Sequence, residues 1–313
     1  MKRVIVTGAN GFVGCNIVGA LLAAGYTVLA ADFAFDNPAY KRLAGDNIRC
    51  ITTDCVNLPP LSADALIHAA AVTATPAARG ESPEDNLRAN IEPLLAVSEY
   101  VEARRIQRAI FISSTAVFRQ APSGERRESD PPQPLDTYSV AKALLEHTVA
   151  TLRTEYDRDV VAVRLSAIYG PCEYARSTRP RLSAVATMMR EALRQGEITV
   201  EAPGEMRRWT YAPDIGRALI ALLEADTLRH SLYQLEGGEA LSNLAVARQI
   251  SRVCAGVALR VSEEAPPARP APGLVGSAPG RLQRDTGFDD WTPMNAETLS
   301  ATLDSLRSGA GHA

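Results

Sequence analysis

The chain has 313 residues, 46% hydrophobic and 22% charged, with a formal net charge of −3. That length and balance suit one large α/β unit or two interlocked parts of a globular protein. The small charge argues against nucleic acid or an anionic membrane as partner, and no apolar run is long enough to span a membrane, so the chain reads as cytoplasmic.

In chain order, residues 2–7 (KRVIVT) form a short β-branched run that stops at Gly8, as a strand buried on both faces does. Residues 11–24 have helical spacing, with Phe12, Ile17, Val18, Leu21 and Leu22 near one side and Gly25 placed to end the helix. A second strand at 27–31 leads to Asp32. Further strands are expected at 65–68, 109–113 and 160–165, and long amphipathic helices at 86–104 and 137–156. This alternation predicts an α/β protein with a doubly wound parallel sheet. After Leu165 the rhythm changes to an arginine-rich loop, then a helix at about 183–195. Residues 266–279 are rich in Pro and Gly and read as an extended loop. Met1-Lys2-Arg3 leads straight into the first strand, without the apolar region of a signal peptide. The five cysteines, Cys15, Cys50, Cys55, Cys172 and Cys254, and the four histidines follow no metal-ligand spacing, so no metal is expected.

Residues 8–14 (GANGFVG) stand between a strand and a helix. Glycines there permit a tight turn and let a pyrophosphate approach the helix N-terminus, where free N–H groups and the helix dipole stabilise its charge. Gly8, Asn10, Gly11, Phe12 and Val13 are therefore expected to bind a dinucleotide. Asp32, 24 residues after Gly8, can accept hydrogen bonds from the adenosine ribose and repels a 2′-phosphate, which favours NAD over NADP.

Tyr138 and Lys142 lie one helical turn apart. A tyrosine is a poor base at its ordinary pKa of about 10. A nearby ammonium and an oxidised nicotinamide both favour the phenolate. Ser113, Ser114 and Thr115 end the preceding strand, and Ser114 is the expected hydroxyl that holds the substrate oxygen. Each signal alone is weak, and their order along the chain points to NAD-dependent chemistry at a carbinol.

Taken together, TGANGFVG (7–14), Asp32, Asp54, HAAA (68–71), Asn90, SSTAVF (113–118), YSVAK (138–142), RLSAIYGP (164–171) and RRWTYAPD (207–214) resemble the extended short-chain dehydrogenase/reductases, the NAD-dependent epimerase/dehydratase family. The resemblance implies a Rossmann-type domain at 1–165 and a smaller C-terminal α/β substrate domain at 166–313, with about 209–235 returning to the first sheet. It implies that Asp54 and Cys55 lie near the adenine, that Ala69, Ala70 and Ala71 pass over the cofactor, and that Lys142 also reaches the nicotinamide ribose. Asn90 resembles the family's structural asparagine, and His68 reads as packing. The helices at 86–104 and 137–156 resemble the pair that forms a homodimer interface in relatives, although packing on the sheet explains them equally well.

Departures from the family pattern narrow the substrate. Dehydratases carry an acidic pair after the catalytic hydroxyl, where this chain has Thr115 and Ala116, and Ala116 cannot transfer a proton. The asparagine that contacts a nucleotide-sugar diphosphate is Ala167 here. Arg207 aligns with the arginine that grips that diphosphate, the acid that often follows it is Arg208, and residues 198–200 resemble the segment that packs on the nucleotide base. Residues 176–181 hold three arginines, suited to bidentate recognition of carboxylate or phosphate. Ser114, Thr115, Arg179, Arg181 and Arg207 are thus the expected contacts of a small anionic substrate. A nucleotide-sugar epimerase, a net dehydrogenase of a smaller sugar acid and an NAD-binding regulator without turnover all stay open, and the intact Ser114, Tyr138 and Lys142 weigh against the last.

Overall fold

The computed structural model describes residues 2–43, 45–119, 126–262 and 280–309; the Pro/Gly-rich stretch 266–279 lies outside them. The first part of the chain alternates strand and helix: β1 (Arg3–Thr7), α1 (Phe12–Ala23), β2 (Thr27–Asp32), β3 (Ile48–Thr52), β4 (Ala65–His68), α2 (Pro76–Arg79), α3 (Pro83–Ala103), β5 (Arg108–Ser114), α4 (Thr137–Tyr156) and β6 (Asp159–Leu165). Then come β7 (Ala167–Tyr169), α5 (Ala184–Gln195), β8 (Glu197–Val200), β9 (Met206–Tyr211), α6 (Ala212–Glu224), β10 (Leu232–Leu235), β11 (Ala240–Ser242), α7 (Asn243–Val253), β12 (Ala258–Val261), α8 (Arg281–Thr286) and α9 (Ala296–Gly309).

Seven parallel strands form the main sheet in the order β10-β6-β5-β4-β1-β2-β3. Alternate residues of β1 feed two cores. Val4 and Val6 pack with Ile17 and Leu21 of α1 and with Ile215 and Leu219 of α6. Ile5, Leu66 and Phe111 pack on the other face with Leu94 and Val97 of α3 and Leu145 of α4. Each such side chain contributes about 1.5–3 kcal/mol when fully buried. The chain turns away from β1 toward β2 on one side and β4 on the other, which opens a crevice at the C-terminal ends of these strands.

Helix α3 begins earlier than the apolar spacing suggested. Ser82 accepts the Asp85 N–H, and Pro83 takes the first helical position, where a missing N–H costs nothing. Away from the two cores of the main sheet, the C-terminal part of the chain has its own apolar core, which joins Tyr169, Met189, Ile198, Trp209, Ile250 and Leu299. It is built on the three-stranded sheet β11-β9-β7, the pair β12-β8 and helices α5, α7 and α9. The chain returns to the main sheet through α6 and β10, which pairs with β6. Residues 209–211 stay in β9 with the small sheet, because Trp209 pairs with Ala167 and buries its ring in the C-terminal core.

Candidate active site

A cleft of about 580 Å³ opens at the crevice beside β1 and runs from the glycine turn to Arg207. At its floor, Gly8 has φ +66°, and a Cβ there would lie 2.5 Å from the backbone of Ala70. A Cβ on Gly14 would lie 2.1 Å from the Gly8 carbonyl oxygen. Both positions therefore need glycine for close approach of backbone to backbone. Gly11 is the N-cap of α1 and has no side chain to cap the helix. Phe12 and Val13 line the cleft at the start of α1, where first-turn N–H groups have no partner within the helix and the helix dipole is positive.

Asp32 lies beside this turn and is only 5% exposed. Its Oδ2 accepts the Asn10 N–H at 3.0 Å. Ala69, Ala70, Ala71, Asp54 and Cys55 line the same end. The Asp54 carboxyl is held below its ordinary range by hydrogen bonds from Asn57, and burial pushes the Cys55 thiol up to about 11, which leaves it protonated near neutral pH. Asn10 is a correction: its amide donates to Asp36 at 2.7 Å, its Oδ1 accepts the Asn37 N–H at 3.2 Å, and it is fully buried, so its side chain builds the turn and does not face a ligand.

Ser114, Tyr138 and Lys142 meet in the middle of the cleft. Asp136 caps α4 in a reciprocal box with Ser139, which fixes where the tyrosine turn starts. The Tyr138 phenol lies beside Ser114, whose Oγ accepts the Ala116 N–H at 3.1 Å. Lys142 is buried, donates to the Ile112 carbonyl at 2.7 Å, and stands 5.7 Å from the centre of the tyrosine ring. Burial brings its pKa down to about 8, with Glu146 opposing. Burial also raises the phenol above its ordinary value, while the Ser114 hydroxyl and the charges of Arg119 and Arg179 pull it down. Arg119 and Arg179 thus add to the favourable field around the phenol, and Lys142, with one of its three N–H donors on the Ile112 carbonyl, keeps two others free to turn elsewhere.

Beneath the site, Glu146 receives both arms of the buried Arg164 at 2.7 Å and the Ser113 hydroxyl at 2.7 Å. His68 is buried against Thr7 Oγ1 at 2.8 Å, and burial lowers its pKa to about 3. Asn90 donates to the Val72 carbonyl and accepts its N–H, fixing the chain after the Ala69–Ala71 turn.

At the far end, Arg207 lines the cleft, bonds Glu205 at 2.7 Å and leaves its buried Nε without a partner. Its acid therefore stands two residues before it, just ahead of β9, and not after it as the family pattern implied. Arg208, on the opposite side of the strand, reaches the Gly238 carbonyl. Ala167, at the position where the resemblance implies an asparagine, lines the cleft. Arg179 also lines it, pairs with the buried Glu173 at 2.7 Å, and has a buried Nη1 without a partner.

Three further expectations are corrected. Arg181 projects onto a surface depression beside Arg190 and Arg194, outside the cleft. Thr115 is buried, with its hydroxyl on the Leu165 carbonyl at 3.3 Å. Ile198 and Val200 are fully buried in the C-terminal core and so cannot pack on a bound base. Arg119, Arg176 and Ser166 line the cleft without having been singled out. Arg176 was legible only as one arginine of a basic run.

Among the described residues no group of three or more His, Cys, Asp or Glu is placed to hold a metal ion. No described helix is long and apolar enough to cross a membrane.

The sequence matches the profile of the NAD dependent epimerase/dehydratase family over residues 4–233. The chain belongs to that family, whose cofactor is NAD. It is similar to a dTDP-glucose 4,6-dehydratase of Streptomyces niveus, 27% identical, covering 80% of this chain and 77% of the relative. It is also similar to an uncharacterized UDP-glucose epimerase of Bacillus subtilis, 24% identical over 80% and 82%. Among solved structures, a UDP-N-acetylglucosamine 4-epimerase from Methanobrevibacter ruminantium has a TM-score of 0.83 at 23% identity, covering 98% of each chain. A UDP-glucuronic acid 4-epimerase from Bacillus cereus has a TM-score of 0.81 at 22% identity, covering 97% and 99%. These likenesses establish the shared fold.

Proposed function

We propose that the protein is an epimerase of a nucleotide sugar that inverts a carbinol carbon using Ser114, Tyr138 and Lys142 with NAD. The observation that carries this reading is one cleft that joins the glycine turn, the Ser114–Tyr138 pair and Arg207. The residues fit the cofactor: Gly8 and Gly14 leave room for backbone approach, the uncapped start of α1 offers N–H groups to a pyrophosphate, and Asp32 offers its carboxylate to a ribose. When bound, NAD supplies reversible acceptance of a hydride. Ser114 holds the sugar hydroxyl oxygen. Tyr138 takes its proton and later returns it. Lys142, charged below about pH 8, keeps its ammonium within reach of the phenol. Arg207, steadied by Glu205, grips the diphosphate.

Several features favour this over loss of water. Ala116 offers no proton, and Thr115 is turned to a backbone carbonyl. A dehydrogenase of a smaller sugar acid is the second reading, supported by Ala167 in the diphosphate position and by the unpartnered Nη1 of Arg179. Residues 1–165 with 212–235 serve as the cofactor-binding part, and most of the remaining chain as the substrate-binding part. The protein works in the cytoplasm as a homodimer through α3 and α4. Their outer faces expose Leu95, Val140 and Leu144 by 40–49%.

The test is to incubate the protein with NAD and UDP-glucose, UDP-N-acetylglucosamine or UDP-glucuronic acid, following products by NMR and reduced cofactor by absorbance. The epimerase reading predicts a C4 epimer without net reduced cofactor. Net reduction with a sugar acid supports the second reading instead.

A further inference from the structure

The loop after β7 crosses the cofactor end of the cleft. Arg176 and Arg179 exchange two backbone hydrogen bonds, at 3.0 and 2.9 Å, which close a tight hairpin. On one side the Thr178 carbonyl accepts the N–H groups of Thr73 and Ala74, at 2.9 and 3.1 Å, just beyond β4. On the other side Arg176 Nη2 lies 3.4 Å from Asp32 Oδ1 and 3.5 Å from Asp36 Oδ1, just beyond β2. Its guanidinium lies 4.8 Å from the centre of the Phe33 ring. Between these anchors Arg179 lies 5.0 Å from the Phe12 ring at the start of α1 and is tied to Glu173. Strands β2 and β4 flank β1, so the hairpin is fastened to both banks of the crevice.

We propose that the 176–179 hairpin is a strap over the cofactor and that Arg176 is a cofactor-binding residue that holds the adenosine end in place throughout turnover. The proposal rests on NAD occupying this cleft. Asp32 accepts the Asn10 N–H on Oδ2 and the Ala34 N–H on Oδ1, and a carboxylate has about four acceptor sites, so Arg176 and one ribose hydroxyl are accommodated together. A planar guanidinium next to an aromatic ring also offers a face to a purine. Arg176 is only 13% exposed, so its ordering cost is largely met before a ligand arrives. The strap has a chemical purpose. An enzyme that returns a hydride to the sugar that gave it must not release its reduced cofactor between the two transfers.

The experiment measures cofactor release, independent of turnover. The full chain is loaded with NADH and chased with excess NAD, and the fluorescence of bound NADH is followed in time. Arg176→Ala is expected to release NADH at least 10-fold faster, with an unchanged circular dichroism spectrum. Asp36→Asn, which removes an exposed partner, is expected to speed release about 2-fold and keeps the test open if Arg176→Ala folds poorly. Unchanged release in both variants overturns the strap. Slower release in Arg176→Ala also overturns it, because the guanidinium then competes for the adenosine seat. A parent protein that binds no NADH overturns the cofactor reading as well, and so is distinct from a failure of the strap alone.

Discussion

The two ends of the cleft are built in different ways. At the glycine turn and the tyrosine helix, each functional group sits at the end of a regular element: Gly8 after β1, Asp32 at the end of β2, Ser114 at the end of β5, and Tyr138 and Lys142 in the first turns of α4. At the far end the groups come from small strands and loops joined by ion pairs, as Arg207 is to Glu205, and the 176–179 hairpin, held by Arg176 to Asp32 and Arg179 to Glu173, is built the same way where it crosses the cofactor end. The first end is rigid because the main sheet carries it, and it serves a chemistry shared across the family. The second depends on a few charged contacts, and the proposed function assigns substrate choice to it.

The sharpest way to break this contrast is at the rigid end. Tyr138→Phe is expected to lower turnover about 10³-fold while NADH binding and the melting curve stay close to the parent. If the variant keeps parental turnover in a responsive assay, the proton role assigned to Tyr138 is wrong. Lys142→Met is expected to cost about 10²-fold in turnover and yet raise the melting temperature. The sign follows from burial. The ammonium's pKa falls from its ordinary value to about 8 in the folded chain, so below that pH the native state carries the cost of a buried charge, and stability rises with pH between about 8 and 10.4. Melting curves at pH 7 and 9 check it: the variant gains most at pH 7.

The far end should give smaller, selective effects. Arg207→Ala is expected to raise KM for a nucleotide sugar about 30-fold, as the loss of a charge-assisted hydrogen bond does. Arg181→Ala is expected to change KM less than about 2-fold, since Arg181 lies outside the cleft. Equal effects of the two in parallel kinetics would erase the distinction between lining and surface arginines. The last effect concerns stability alone. His68 is neutral in the fold, with its pKa at about 3, so the unfolded chain binds the extra proton first as pH falls below about 6.5. The parent should lose stability between pH 6.5 and 3, and His68→Gln should flatten that loss in urea titrations.

The same contrast explains what the sequence disclosed. The parallel sheet was legible because its strands are short apolar runs separated by helical spacing. The placement of Gly8, Gly11, Asp32, Tyr138 and Lys142 in one cleft was legible because it depends on local spacing within one strand–turn–helix or one helical turn. Arg176 meets Asp32 across 144 residues, and no local pattern encodes that meeting. Asn10 was misread because a turn residue next to the glycines can serve the turn or a ligand, and its partners Asp36 and Asn37 come from a distant loop. Thr115 and Arg181 were misread for a related reason: a one-residue change of direction in a turn or hairpin decides which side of a cleft a side chain meets. Glu205 was missed because the family pattern directed attention to the residue after Arg207.

The most direct measurement uses a UDP-hexose deuterated at C4, incubated with the full chain and NAD and read by NMR. The account predicts that the deuterium stays at C4 of the inverted sugar and that no labelled reduced cofactor enters solution. Deuterium in free cofactor, or its absence from an inverted product, would contradict the return of the hydride to the carbon that gave it.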